Sequence, residues 1–303
     1  MVGCQGRVWA VVLHYRLWQE TVECVRSLFE SGYPNLCVLV VDNGSADGSA
    51  VELARHLDDR AELLTLPENR LFGGGMNAGL VRALEQGADW LLILNNDTLV
   101  EPNMISHLVD TAQSSPDIGV VAPLVYYADA PTELWNAGGR RRRFWPFAHQ
   151  LGSMDQEILG RDEPIAVDYV TGCAMLASRA VLERVGLFDP RYRMYYEDAD
   201  LCARIRQEGY TIFVDPRASI WHLVGRTSAT EPVPNRYHRV RNRWRFYMAY
   251  NRGVSKALAA LLLLGQEGLR GMACALSGKH DLARAHWRGL YDSLRDGGAC
   301  HDW

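Results

Sequence analysis

Hydrophobic residues in the first half of this chain come in short unbroken runs, each closed by a polar cluster. Val8–Leu13, Cys37–Val41, Ala61–Leu66 and Trp90–Leu94 are four such runs. Runs of this length, rich in β-branched residues or leucine, predict strands buried on both faces. Between them the apolar positions recur at helical spacing. Trp18–Ser31 sets Val22, Val25, Leu28 and Phe29 on one face and is stopped by Gly32 and Pro34. A second helix follows the turn Asp42–Ser49, which also caps it. A third runs through Leu84 and ends at Gly87, and a fourth, Pro102–Ser114, has proline in its first turn. Strand and helix in alternation predict an α/β fold with a doubly wound, mostly parallel sheet.

After the strand Ile118–Val125 the rhythm changes. Tyr126–Ala166 is irregular, and Val167–Ala177 reads as a strand in which Gly172 permits a close approach. Ser178 caps a short helix, Arg179–Val185; a helix then starts near Glu197, and Thr211–Val214 is a short strand. From Asn235 arginines alternate with aromatics, and helical segments run to about Leu294. Residues 1–234 therefore read as one domain, with halves 1–125 and 126–234, and residues 235–303 as a helical C-terminal extension. The mix of apolar faces and basic heads in the extension suits packing on the first domain, a homodimer contact or a peripheral membrane contact.

Composition narrows the classes. The 303 residues include 48% hydrophobic and 22% charged positions, ordinary for a soluble globular protein, and the net charge of -4 gives no sign of a nucleic-acid partner. Seven cysteines, odd in number and without a Cys-x-x-Cys pair, point to a reducing, cytoplasmic compartment. The N-terminus reads as lacking a signal peptide. The longest apolar run, Ala257–Leu264, is short of the ~20 residues that a bilayer span needs.

Candidate chemistry sits where the runs end, because ligands of open α/β sheets bind off the carboxyl ends of the strands. The run Leu91–Leu94 ends in Asn95-Asn96-Asp97. A carboxylate there suits a divalent cation that holds phosphate oxygens, and the same residues are also good turn chemistry. Asp42 can meet a ribose hydroxyl or a base N–H, or can serve as a turn and cap residue. The stretch Glu68–Gly79, with glycines at 73, 74 and 75, lets backbone approach a ligand ahead of a helix. Glu197, Asp198 and Asp200 crowd a helix start; the helix dipole favours them there, and their mutual repulsion can raise one pKa into the range of a base. His222 is open to a metal, a phosphate or a structural role. Arg140–Arg143, beside Phe144, Trp145 and Phe147, is either a solvated loop or a grip for phosphate or a lipid headgroup.

Four motifs in order carry a resemblance that spans roughly residues 7–250: Val41-Asp42-Asn43-Gly44-Ser45, the Asn69–Gly79 glycine loop, Leu94-Asn95-Asn96-Asp97-Thr98 and Glu197-Asp198-Ala199-Asp200-Leu201. In these the chain resembles family 2 glycosyltransferases of the GT-A fold, in the rhamnosyltransferase-like branch. The resemblance implies that Asp42 binds the nucleoside, with His14, Tyr15 and Arg16 lining the base pocket. It places Asn69, Gly74, Asn77, Asn95 and Asn96 on the donor side. Asp97 becomes the metal residue, with His222 a further metal or diphosphate contact, and Asp198 the catalytic base. Gly172 and Glu197 fall on the acceptor side, and Asp200 and Arg204 support the helix or the acceptor. Asn95 stands where stricter members have Asp.

The implied reaction is inverting transfer of rhamnose or a related hexose from a dTDP-, UDP- or GDP-linked donor to a hydroxyl of a glycan or lipid-linked acceptor. It would use Mn²⁺ or Mg²⁺ and serve polysaccharide biosynthesis in the cytoplasm or on the inner face of the membrane. A sugar-nucleotide pyrophosphorylase is the enzymatic alternative, disfavoured because His14–Trp18 holds no glycine after the first strand. A non-catalytic GT-A-like scaffold is the other.

Overall fold

The computed structural model describes residues 6–141, 147–151, 158, 160–224 and 232–295. Its strands are β1 (Val8–His14), β2 (Leu36–Asp42), β3 (Ala61–Thr65), β4 (Trp90–Asn95), β5 (Thr98–Val100), β6 (Ile118–Tyr127), β7 (Leu134–Asn136), β8 (Gly139–Arg141), β9 (Ala148–Gln150), β10 (Ile165–Val167), β11 (Ala174–Ser178) and β12 (Thr211–His222). Its helices are α1 (Trp18–Glu30), α2 (Ser49–His56), α3 (Leu71–Glu85), α4 (Met104–Gln113), α5 (Arg179–Val185), α6 (Glu197–Gln207), α7 (Pro232–Tyr250), α8 (Gly253–Leu276) and α9 (His280–Arg295).

The main sheet runs β10-β12-β6-β11-β4-β1-β2-β3, with β5 and β7 paired to β12 and β6. Strands β3, β2, β1 and β4 are parallel, as the βαβ rhythm predicts. Beyond β4 the sheet is mixed: β11 is antiparallel to both β4 and β6, and β12 is parallel to β6. Each central strand is buried on both faces. Val8, Ala10 and Val12 of β1 pack beneath α1 and α4, while Trp9, Val11 and Leu13 pack beneath α3 and α6. That alternation makes the sheet doubly wound and fixes which strand-tip residues face the site.

The glycine stretch departs from its reading as a loop. Helix α3 starts at Leu71, whose φ is 57°, so the glycines lie inside the helix. They serve close packing. A Cβ on Gly79 would lie 2.4 Å from Val11 Cγ1 and 2.6 Å from Val41 Cγ2, and one on Gly75 would lie 2.7 Å from Leu13 Cδ1. Without side chains at these points α3 settles directly onto β1 and β2.

Two other readings change. The predicted strand Val167–Ala177 divides into β10 and β11, with Gly172 in the turn between them. The run Ala257–Leu264 lies within the 24-residue helix α8, which is long and apolar enough, by length and composition, to cross a membrane. Ser178 caps α5 as predicted, accepting a hydrogen bond from Val181 N at 3.2 Å. Of the arginine run, residues 142–145 lie outside the described residues; Arg140 donates to the Ala166 carbonyl.

Candidate active site

Strand tips build one wall of a groove of about 370 Å³ at the carboxyl edge of the sheet. Leu13 and Tyr15 follow the face of β1 that turns toward α3, and Asn43 and Asn95 extend the same face of β2 and β4. Asn43 is fully engaged: its amide donates to Asn69 Oδ1 and the Leu71 carbonyl and accepts from Arg70 N. Gly44 makes this junction possible, since a Cβ there would lie 2.3 Å from the Glu68 carbonyl carbon. Asn96 donates to Thr21 Oγ1 at 2.9 Å and so ties the β4 turn to α1.

Asp97 lies next in that turn. Its side chain is 6% exposed, and its Oδ1 is 3.1 Å from His222 Nε2 at the end of β12. The contact lacks hydrogen-bond geometry, and Oδ1 has no donor, as His222 Nδ1 has no partner. Burial lowers the His222 pKa, but Cys173 and Asp97 outweigh it and push it up to about 10. The Trp135 ring meets that imidazole edge-on at 5.1 Å. A buried, unsatisfied carboxylate oxygen beside an imidazole fits a divalent cation, whose binding would displace the imidazole proton. Among the described residues no group of three His, Cys, Asp or Glu is arranged to hold a metal, and Asp97 with His222 is a pair of the size that Mg²⁺-type phosphate sites use.

The opposite wall is the start of α6. Asp198 is half-buried and accepts hydrogen bonds from Gly172 N at 3.0 Å and Ala199 N at 2.7 Å. Burial raises its pKa in spite of those two donors. Glu197 is also buried, its Oε2 has no partner, and burial, then Asp198 and Asp200, hold its pKa well above the ordinary range. Asp200 turns away to Arg204 Nε at 2.8 Å and Tyr250 OH at 2.7 Å, a helix-supporting role. Gly172 faces both Phe72 and Asp198; a Cβ on it would lie 3.2 Å from the Phe72 ring.

The chain enters α6 through backbone that resists folding. Arg193, Tyr195 and Tyr196 all have left-handed φ, at 59°, 67° and 71°. Each such residue costs about 1–3 kcal/mol unless its surroundings compel it. The compulsion comes from α7. Asn242, fully buried, donates to the carbonyls of Tyr192, Met194 and Tyr195. Arg241 and Arg245 donate to the Arg191 carbonyl, and Arg243 pairs with Glu267. The interleaved arginines of α7 thus act largely as staples inside the protein.

Beside this wall a second cavity, of about 590 Å³, opens between α6 and α7. Tyr169, Tyr195, Phe246, Tyr247 and Tyr250 line it, and Asp198 stands at its junction with the first groove. Arg239 borders both, its guanidinium over the Tyr195 ring at 4.6 Å; among the described residues no carboxylate pairs with it.

The groove therefore gathers Tyr15, Asn69, Asn95, Asn96, Asp97, Gly172, Glu197, Asp198 and His222. Five other candidates lie elsewhere. His14 and Asp42 have the opposite strand parity and are buried on the α1 side, where His14 Nδ1 bonds Thr21 Oγ1 at 2.7 Å and burial lowers its pKa. Arg16 is half-buried outside the groove lining, its guanidinium 4.8 Å from the centre of the Tyr15 ring and its Nε 4.0 Å from Asp47. Gly74 faces Arg70, and the Asn77 amide is occupied by the backbone N–H and carbonyl of Phe188. Asn43 enters the sequence reading only as part of a motif, and Trp135, Arg239 and Asn242 are given no site role there. Strand parity could have indicated Asn43; the other three depend on distant elements.

A doubly wound sheet with carboxylates on both walls of an edge groove defines the class: this is a GT-A glycosyltransferase fold. A mannosyltransferase from Pyrobaculum calidifontis, solved with GDP-mannose and Mn²⁺, superposes with a TM-score of 0.57 at 16% identity, covering 97% of this chain and 88% of that one. GalNAc-T7, solved with UDP, GalNAc and Mn²⁺, gives 0.57 at 15% identity, over 73% of this chain and 44% of that one. The chain belongs to glycosyl transferase family 2, whose model matches residues 9–186. An N-acetylglucosaminyl-diphospho-decaprenol L-rhamnosyltransferase of Mycobacterium tuberculosis is 28% identical over 214 residues, 65% of this chain and 69% of the relative. A poly-β-1,6-N-acetyl-D-glucosamine synthase of Staphylococcus aureus is 24% identical over 69% of this chain and 48% of its own. The protein is a glycosyltransferase acting on nucleotide sugars, which sets aside the pyrophosphorylase and scaffold alternatives.

Proposed function

We propose that this enzyme transfers rhamnose or a related hexose, with inversion, from a dTDP-, UDP- or GDP-linked donor to a hydroxyl of a glycan or lipid-linked acceptor. The observation that carries it is one groove with an unsatisfied buried Asp97 oxygen on one wall and, on the other, the Asp198 carboxylate held by two backbone N–H groups. The donor lies along the strand tips, its diphosphate toward Asp97 and His222. Mn²⁺ or Mg²⁺ held there would offset the charge of the departing diphosphate. Asn95 and Asn96 shape the floor beneath it.

Asp198 takes the proton from the acceptor hydroxyl as that oxygen attacks the anomeric carbon from the face opposite the leaving group. Its raised pKa brings it nearer the operating pH, which improves a general base. The Gly172 and Ala199 N–H groups hold the carboxylate in place. The aromatic cavity between α6 and α7 receives the acceptor: its rings offer faces to sugar C–H groups, and the unpaired Arg239 offers a guanidinium to a phosphate. The diphosphate-lipid acceptor in the name of the mycobacterial relative agrees with that chemistry.

The test is turnover of UDP-, dTDP- and GDP-sugars with Mn²⁺, with and without a diphosphate-lipid saccharide acceptor, and the anomeric configuration of the product read by NMR. Transfer with inverted configuration is expected. Retention of configuration, or no turnover of any of the three donor classes, overturns the proposal.

A further inference from the structure

We infer that the outer face of α8, with the adjoining face of α9, is a docking surface for an anionic lipid bilayer, on which the enzyme lies without spanning it. That the acceptor is lipid-borne rests on the preceding proposal; the surface does not. The observation is an apolar stripe along a helix whose opposite side packs against protein. Val254, Leu258, Leu261, Leu269, Met272 and Leu276 recur at spacings of three, four and eight residues, and Leu261 and Leu276 are 69% and 90% exposed. The stripe follows the helix for about 36 Å. No charged residue interrupts it. The buried positions Ala259, Leu263 and Glu267 mark the opposite side, and Gly271 marks the flank that meets α9.

The stripe has the rim that such a surface needs. The Trp287 ring of α9 lies against Gly271, where a Cβ would meet it at 2.6 Å, so the apolar face continues onto α9. Trp287 and Tyr291 are exposed there, side chains suited to the headgroup boundary. Residues 252–295 hold seven Lys and Arg, all exposed, against three acids, of which Glu267 is buried between Arg243 and Arg270. The whole chain is net -4, so positive charge is concentrated around this face.

Two other occupants fit less well. A bilayer-spanning α8 would carry Glu267, with its arginine partners and the buried His286, to mid-helix in hydrocarbon. A helix lying in the interface keeps them on the protein side. A second copy on the same face would bring two basic rims together, which repel.

The test is flotation of the full chain with vesicles of phosphatidylcholine alone and of phosphatidylcholine with phosphatidylglycerol. Binding to the anionic vesicles is expected, weakened by salt. Leu261→Glu with Leu269→Glu should lower it about a hundredfold, because two leucines leave the interface. Arg284→Glu with Arg288→Glu should abolish the preference for phosphatidylglycerol. Thermal melts check that the variants fold, and Leu261→Ser with Leu269→Ser replaces the first pair if it does not. Failure to float, or flotation that the leucine variants leave unchanged, overturns the inference. So does a dimer in sedimentation that the leucine pair dissociates while vesicles stay unbound, which assigns the face to a second copy. Sugar-nucleotide hydrolysis without acceptor is measured in parallel. Flotation without any turnover removes the proposed reaction and leaves the surface; turnover without flotation does the reverse.

Discussion

On the strand-tip wall of the groove the side chains stand at the ends of hydrogen-bonded parallel strands; on the α6 wall they stand beyond three left-handed residues. The first wall is made rigid locally. Asn43 closes onto Asn69–Leu71, Asn96 onto Thr21, and α3 lies flat on β1 and β2 through its glycines. The second is held from a distance by Asn242 on α7, which follows Tyr192 by 50 residues. A donor bound by the first wall needs only the sheet. The base proposed for the second would need the helical extension as well, which would make α7 as much a part of the site as the strands.

The largest expected effect separates the two walls directly. Asp198→Asn keeps the shape of the α6 wall but removes the base, and kcat should fall by about 10²–10⁴-fold. Affinity for the nucleoside diphosphate, read by calorimetry, should stay unchanged. Substantial residual transfer would move the base elsewhere. In the wild type the rate should rise with pH on the acid side, through a pKa raised from the ordinary aspartate value by burial, because only the ionised Asp198 accepts a proton. On the other wall, Asp97→Ala should abolish the gain in nucleotide affinity that Mn²⁺ confers, about tenfold to a hundredfold. Equal affinities with and without Mn²⁺ in the wild type would break the assignment of Asp97 and His222 as ligands.

The walls also differ in how legible they were in the sequence. Buried runs ending in polar clusters announce strand tips, and their order announces the sheet, so β1 to β4 and the Asn95–Asp97 turn could be read. Which tip residue faces the groove follows from period-two alternation: on β1 Leu13 and Tyr15 face it, and His14 between them does not. Proximity to the strand end alone therefore does not separate His14 and Asp42 from the residues that line the groove. The glycines of α3 announced a close approach, but to neighbouring strands; nothing local distinguishes that from approach to a ligand. The acids at 197–200 announced a helix start with unusual electrostatics. No local pattern announces that Tyr195 and Tyr196 adopt positive φ, because the force that compels them is a side chain on another element. For the same reason the arginines of α7 read as a basic surface, although Arg241 and Arg245 are buried against the Arg191 carbonyl.

Asn242→Ala sharpens the contrast at intermediate size. Three carbonyls lose their donor, and stability should fall by about 1–3 kcal/mol, read by denaturant unfolding. If the left-handed backbone needs this support, transfer should fall about tenfold while nucleotide affinity holds. Loss of nucleotide affinity in the same proportion would show that the two walls are one mechanical unit.

Glu197→Gln should produce the smallest change and isolates the electrostatic cost of the α6 wall. The carboxyl is buried, its Oε2 is unpartnered, and its pKa is raised by burial and by Asp198 and Asp200. A carboxyl with a raised folded-state pKa binds its proton more tightly when folded than when unfolded. Its contribution to stability is therefore fully present below the unfolded pKa and is lost as pH rises through the folded one. Glutamine has the shape of the neutral acid and carries no such penalty. The variant should match the wild type in thermal midpoint near pH 5 and exceed it by about 2–4 °C at pH 8. A midpoint that drops equally at both pH values would mean that Glu197 is held as a carboxylate by a partner, and that the α6 wall bears strain in its backbone alone.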